Sequence, residues 1–208
     1  MKETIEKALA FGKEIVWPYT DTHLAIAKDA EVLVEIFRLR SRIYTQMGYQ
    51  KEFPDPVPGY NFDDFDIRSA IFYTHKNGTV TGTCRIVFDA EGGLPIDKNY
   101  SLDYLRGTNR RLAELSRFIV DSEVGGLSPE FKLLIKGMYG IIAHNDIDLA
   151  VTVIAKEHFR LYEKVGGFQS EALLSTYGTL MRPYIIATWD TSAVSPFFRR
   201  AFLYRKSA

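Results

Sequence analysis

The stretch Ala113-Glu114-Leu115-Ser116-Arg117-Phe118-Ile119-Val120 decides how this chain is read. Branched and aromatic residues without Gly or Pro are the composition of a strand. Within four positions the same stretch carries an acid, a hydroxyl and a base. Period-2 alternation assigns Glu114, Ser116, Phe118 and Val120 to one face and Leu115, Arg117 and Ile119 to the other. Both faces are partly apolar, as in a strand covered on both sides. An ionised Glu or Arg in such a place is costly unless it is paired and hydrogen-bonded. Two readings satisfy that condition, a structural ion pair and an active-site strand.

Working outward toward the C-terminus, Ser128-Pro129 supplies an N-cap and a first-turn proline. They open a helix running to about Asn145, with Phe131, Leu134, Ile135, Met138, Ile141 and Ile142 spaced for burial. Residues 147–154 form a nearly continuous apolar run, as in a central parallel strand. Residues 113–154 therefore read as one parallel strand–helix–strand crossover. A helix over 155–165 follows and stops at Gly166-Gly167. Lys156, Arg160 and Lys164 fall at i, i+4 and i+8, a basic stripe that suits a solvated face or a binding surface equally. Residues 168–190 give two more strand-like runs, split near Tyr177-Gly178. The tail over 197–206, with Phe197-Phe198-Arg199-Arg200 and Arg205-Lys206, is either a terminal helix or a contact for a membrane surface or an acidic partner.

Working outward toward the N-terminus, residues 70–74 and 80–88 are strand-like runs flanking Lys76-Asn77-Gly78-Thr79, a tight hairpin. Thr81, Thr83, Arg85 and Val87 share one face of the second strand. Between this hairpin and the opening stretch lies a long polar segment, 89–112, with Gly92-Gly93 and the basic pair Arg110-Arg111. Upstream, Asp29 is an N-cap for a helix reaching about Met47, with Gly48 as its stop. Arg40 lies in that helix's apolar stripe, four residues from both Ile36 and Tyr44, so it either snorkels outward or meets a buried carboxylate. Residues 51–62 hold Pro54, Pro56, Pro58 and Gly59, a long irregular segment of the kind that is often functional. Asp63-Asp64-Phe65-Asp66 follows, fit for a solvated turn, a metal site or the partners of Arg40. Metal is the weakest of the three, since no His or further acid cluster lies nearby. A short amphipathic helix over 2–16, ended by Trp17-Pro18, and a strand within 19–27 complete the chain.

The bulk properties fit an ordinary soluble globular protein. The 208 residues suffice for one well-cored domain, 1–208, with 1–22 as an N-terminal helical extension and 191–208 as a C-terminal tail. Lys and Arg balance Asp and Glu at 26 each, so no global field points to nucleic acid or membrane. The lone Cys84 cannot form an internal disulfide, no apolar run reaches transmembrane length, and a cytoplasmic setting is expected. The element order is a mixed α/β (α+β) domain with an antiparallel N-terminal half and a final antiparallel pair.

That order resembles the GNAT acyltransferase fold, a three-layer arrangement around a central mixed sheet. Leu39-Arg40-Ser41-Arg42-Ile43-Tyr44, Asp63-Asp64-Phe65-Asp66, Gly82-Thr83-Cys84-Arg85 and Glu114-Leu115-Ser116-Arg117-Phe118 together are similar to the signature of its autoinducer-synthase branch. That branch holds the N-acyl-homoserine lactone synthases and the N-acyl amino acid synthases. The resemblance implies an acyltransferase with no permanently bound cofactor, using an acyl-phosphopantetheine thioester, on acyl carrier protein or coenzyme A, as co-substrate. Position by position, it places Arg40, Asp63, Asp66, Arg85, Glu114 and Arg117 in a charged catalytic cluster, with Tyr44 and Phe118 as its aromatic wall. Between the first long helix and the acidic pair the chain has Tyr49, Phe53 and Tyr60 but no Trp, which favours an amino acid over S-adenosylmethionine as acceptor. The usual pyrophosphate loop is missing from 121–129, where a single pantetheine phosphate could meet backbone N–H groups and a helix N-terminus. Acyl carrier protein is strongly acidic, so Lys156, Arg160 and Lys164 are its expected dock, with Arg110-Arg111 second.

The expected reaction is amide formation. Glu114 serves as base for the protonated amine, directly or through a water. Backbone N–H groups of the strand stabilise the oxyanion. Arg85 or Arg117 binds the substrate carboxylate, and Ser116 donates to substrate or is simply a buried hydrogen-bonded serine. The rival readings are a homoserine lactone synthase using S-adenosylmethionine, a coenzyme A-dependent acetyltransferase, and a non-catalytic acyl-carrier or lipid-binding module on the same fold.

Overall fold

The computed structural model describes residues 1–121 and 128–203. Helix α1 (Lys2–Glu14) leads to a short strand β1 (Leu24–Ile26) and helix α2 (Ala30–Gln46), whose N-cap Asp29 accepts a hydrogen bond from Val32 N. After an irregular segment and a 3₁₀ turn (Asp64–Arg68) come β2 (Ser69–Lys76) and β3 (Thr79–Phe88). They are joined through Asn77 (φ 52°) and Gly78 (φ 79°), the paired positive φ angles of the expected tight turn. A 3₁₀ turn (Pro95–Lys98) and the short helix α3 (Asp103–Arg106) lie in the long segment before β4 (Leu112–Val120). Then follow α4 (Pro129–His144), capped by Ser128, β5 (Leu149–Ala155), α5 (Phe159–Glu163), β6 (Phe168–Leu174), β7 (Tyr184–Trp189) and the short α6 (Pro196–Phe198).

The seven strands form one mixed sheet in the order β1-β2-β3-β4-β5-β7-β6. All neighbouring pairs are antiparallel except β4 and β5, the parallel pair of the expected crossover. Helix α4 packs Leu134, Ile135, Met138 and Ile141 against one face of the sheet. On the other face, α1 and α2 bury Ile5, Ala8, Leu33, Ile36 and Phe37. Beside them on that face the 89–111 segment buries Leu94, Ile96, Leu102 and Leu105 over β4, β5 and β7. This makes three layers, as the GNAT resemblance implies.

Two features of the sheet build the site. First, β4 pairs with β5 only from Leu112 to Leu115, so the strands part beyond Thr152 and leave a wedge between them. Second, β4 carries a bulge. Thr83 faces Ile119 and Arg85 faces Ser116, so three steps on β4 match two on β3. Arg117, at φ 52°, absorbs the extra residue. The bulge overturns the strict alternation expected from sequence. Phe118 and Val120 turn to the α4 face beside Leu115, while Ile119 joins the face of Glu114 and Ser116.

Two other expectations are corrected. The helix expected over 155–165 is split into a 3₁₀ turn (Lys156–His158) and α5, so the regular i, i+4, i+8 spacing does not hold along it. Lys156, Arg160 and Lys164 are all exposed. In the tail, Phe198 and Phe202 pack into the core rather than outward, and Phe197 is exposed. The phosphate-loop reading of 121–129 falls mostly on residues 122–127, outside the described residues, as do Arg205 and Lys206. Among the described residues no helix is long and apolar enough to cross a membrane.

Candidate active site

Arg40 sits one turn before the end of α2's buried stripe, on a side that faces the sheet and offers no water. Its Nη1 donates to Asp66 Oδ1 at 2.8 Å, and both side chains are 0% exposed. The pairing follows from the capping box at Asp63 and Asp66, which folds the acidic run into a tight 3₁₀ start. Asp66 Oδ2 accepts from Asp63 N, and Asp63 Oδ1 accepts from Phe65 N. Asp64 alone of the three acids is exposed.

Asp63 then bridges two arginines. Arg85 Nη1 donates to its Oδ1 at 2.5 Å and Arg117 Nη2 to its Oδ2 at 2.8 Å. Burial opposes the charge on Asp63, but the two guanidinium groups win and hold the carboxyl far below the usual carboxylate range. Arg85 also reaches Asp66 at 3.2 Å and donates Nε to Ser116 Oγ at 3.1 Å. The bulge turns Arg117 to the same side, where its guanidinium lies over Phe53 at 4.3 Å and Tyr44 at 5.2 Å. Arg117 Nε and Nη1 are buried with no hydrogen-bond partner among the described residues.

Glu114 points into the same space and is 3% exposed. Among the described residues no cation makes an ion pair with it. Its Oε2 accepts from Ile96 N at 2.7 Å. Burial raises its pKa to about 7, against the pull of the Ile96 N–H and of Arg85 and Arg117. A carboxyl with its pKa near the working pH is the kind of group that general acid–base chemistry uses.

These groups line a cavity of about 490 Å³ with Tyr44, Asp63, Arg85, Glu114, Ser116 and Arg117 in its wall. A second cavity of about 500 Å³ fills the wedge between β4 and β5 and is lined by Phe118, Val120, Phe131, Ile154, Leu161 and Tyr162. Tyr44, Phe53, Ser116, Arg117 and Tyr177 belong to both walls, so the charged space and the apolar slot meet at Arg117. Arg40 and Asp66 stand behind the first cavity's wall, outside its lining. Phe118 lines the second cavity only.

Residues 48–62 fold over this junction. Asp55 accepts from Ser41 Oγ, Gly59 N and Asn61 Nδ2, which folds the proline-rich part on itself. Glu52 Oε2 accepts from Thr179 N, and Tyr49 meets Arg182, so the strap reaches the β6–β7 connection across the cleft. Sequence reasoning missed Tyr177, Glu52 and Ile96 as parts of the site. Tyr177-Gly178 reads only as a turn, and nothing local marks Ile96 as the backbone donor to Glu114.

Residues 35–190 match the family model of the N-acyl amino acid synthase FeeM. No curated protein sequence matches the chain. Among solved structures, FeeM, an N-acyl amino acid synthase from uncultured soil microbes, is similar with a TM-score of 0.65 at 22% identity, over 86% of this chain and 93% of that one. The acyl-homoserine lactone synthase LasI gives 0.64 at 17% identity, over 88% and 96%. MesI, a CoA-dependent acyl-homoserine lactone synthase, gives 0.59 at 19% identity, over 85% and 90%. At such identities these structures share a fold with this chain.

Proposed function

This chain belongs to the FeeM family of N-acyl amino acid synthases and is an N-acyltransferase, and we propose that it joins a fatty acyl group from an acyl carrier protein thioester to the amine of an amino acid. The observation that carries this reading is the meeting of two unlike cavities at one bulged strand: a charged space around Glu114 and an apolar slot between β4 and β5.

In the proposed reaction the acyl chain lies in the slot, and the thioester carbonyl reaches the parted edge of β4 beyond Leu115. The amino acid enters the charged cavity. Glu114, directly or through a water, takes a proton from its ammonium group. The freed amine attacks the carbonyl carbon, a C–N bond forms, the C–S bond breaks, and the pantetheine thiol leaves with a proton. Backbone N–H groups of β4, no longer claimed by β5, stabilise the oxyanion. Arg117 is the better candidate than Arg85 for the acceptor's carboxylate. Among the described residues it keeps two buried donors without acceptors, whereas Arg85 is engaged by Asp63, Asp66 and Ser116. Arg40 and Asp66 then serve by fixing Asp63 and Arg85, not by touching substrate. Ser116, hydrogen-bonded to Arg85, orients that arginine. Lys156, Arg160 and Lys164 remain the proposed dock for the acidic carrier, as three exposed cations adjacent in the chain to His158 and Leu161, which line the slot.

The test uses purified protein with acyl carrier protein and coenzyme A thioesters of several chain lengths, a mixture of amino acids, and S-adenosylmethionine in a parallel reaction. Thiol release that requires an amino acid and prefers the carrier protein is expected. E114Q should lower turnover by about 10² to 10⁴ while leaving thioester binding intact. Release that depends on S-adenosylmethionine would reassign the acceptor, and full turnover by E114Q would remove Glu114 as the base.

A further inference from the structure

The long segment between β3 and β4 reads in sequence as polar filler, yet two arginines clamp it. Arg106 donates Nε to Asp89 Oδ2 at 2.7 Å and Nη2 to Asp89 Oδ1 at 3.1 Å. It also donates Nη1 to Asp97 Oδ1 at 2.9 Å and Nη2 to Asp97 Oδ2 at 2.5 Å. Asp97 in turn accepts from Leu94 N at 2.6 Å and Leu102 N at 3.1 Å, closing both ends of the Pro95–Lys98 turn. From the other side Arg68 donates to the carbonyls of Phe88 and Gly93. The middle of that turn is Ile96, whose N–H donates to Glu114 at 2.7 Å.

We propose that Arg106 is a positioning residue for the transfer reaction, acting through Asp97 and the Pro95–Lys98 turn to hold the Ile96 N–H against the Glu114 carboxylate. A planar guanidinium gripping two carboxylates fixes the turn in a way a single cation cannot. Arg106 lies outside both cavity walls, so it touches neither substrate. The groups that face Glu114 are Arg85 from β3, Arg117 from β4, Asp63 from the α2–β2 connection, Tyr177 from the β6–β7 connection and the Ile96 N–H. Among the donors that favour its ionised form, only the Ile96 N–H is set by the 89–111 segment. Loss of that hydrogen bond disfavours the carboxylate and raises the pH at which Glu114 ionises.

The inference rests on Glu114 as the base, but its test reads the carboxyl group directly. Protein labelled with carboxyl-¹³C glutamate is titrated by NMR, and E114Q assigns the Glu114 signal. R106Q and R106K should both move the Glu114 midpoint upward, by about one pH unit for a hydrogen bond to a charged group. R106K retains the charge, so its shift separates positioning from simple electrostatics. Far-UV circular dichroism confirms the fold, and R106K decides the matter if R106Q does not fold. A midpoint unmoved in R106K would overturn the proposal, since Leu94 and Ile96 would then anchor the turn unaided. That result would leave the role of Glu114 standing, because E114Q turnover is measured separately.

Discussion

Glu114 is buried beside two arginines that do not pair with it, and this is what sets its behaviour. Asp63 has taken both guanidinium groups, so the neighbouring carboxyl is left with one backbone donor and a dry wall. Two acids in the wall of one cavity are driven opposite ways, Asp63 far below the usual carboxylate range and Glu114 above it. This has a consequence for stability. The folded pKa of Glu114 lies above its ordinary value of 4.5, at about 7. The folded state therefore holds the proton more tightly than the unfolded chain, and its stability falls as pH rises through that window. E114Q removes the liability. Its unfolding free energy should exceed that of the wild type by roughly 3 kcal/mol at pH 8, with the difference vanishing below about pH 4.5. Urea unfolding at the two pH values checks it, and equal stabilities at pH 8 would mean that the carboxylate is better solvated than its burial implies.

The decisive element is β4, because the bulge and the parting from β5 both occur within it. Residue types along 113–120 identify a strand, but alternation alone puts Arg117 on the wrong face. The extra residue is visible only against the register of β3, a tertiary property that no local pattern encodes. The Asn77-Gly78 hairpin was legible for the opposite reason, since its backbone requirement is written in the two residues that meet it. The strap over 48–62 lies between these cases. Its prolines mark an irregular segment, while its contact from Glu52 to Thr179 spans 127 residues of chain. That contact closes the strap over both cavities. E52A should therefore raise the hydrogen-exchange rates of residues 49–53 with little change in β5 and β7. Unchanged exchange in the strap would show that the Asp55 and Asn61 hydrogen bonds hold it closed without the cross-cleft contact.

At the scale of the whole molecule, the chain brings together groups from five separate stretches: Arg40 and Tyr44 on α2, Asp63 and Asp66 after the strap, Arg85 on β3, Glu114 to Arg117 on β4, and Tyr177 between β6 and β7. Four of these stretches were legible in the sequence. A buried cation demands an anion, which matched Arg40 to the Asp63 and Asp66 pair, whereas Arg85, Glu114 and Arg117 were placed in the cluster by the resemblance to the autoinducer-synthase branch. The fifth stretch, the wall contributed by the 89–111 segment and the two-cavity layout were not legible, because packing geometry and not residue type decides them. Under the proposed function, the apolar slot takes the acyl chain, the charged cavity takes the amine, and Glu114 in that cavity is the base. The most direct measurement is mass spectrometry of lipid extracts from cells producing the wild-type protein, E114Q or an empty vector. The account predicts a new N-acyl amino acid with the wild type and its loss with E114Q at equal protein level. A new acyl-homoserine lactone in its place, or an N-acyl amino acid undiminished in E114Q, would contradict it.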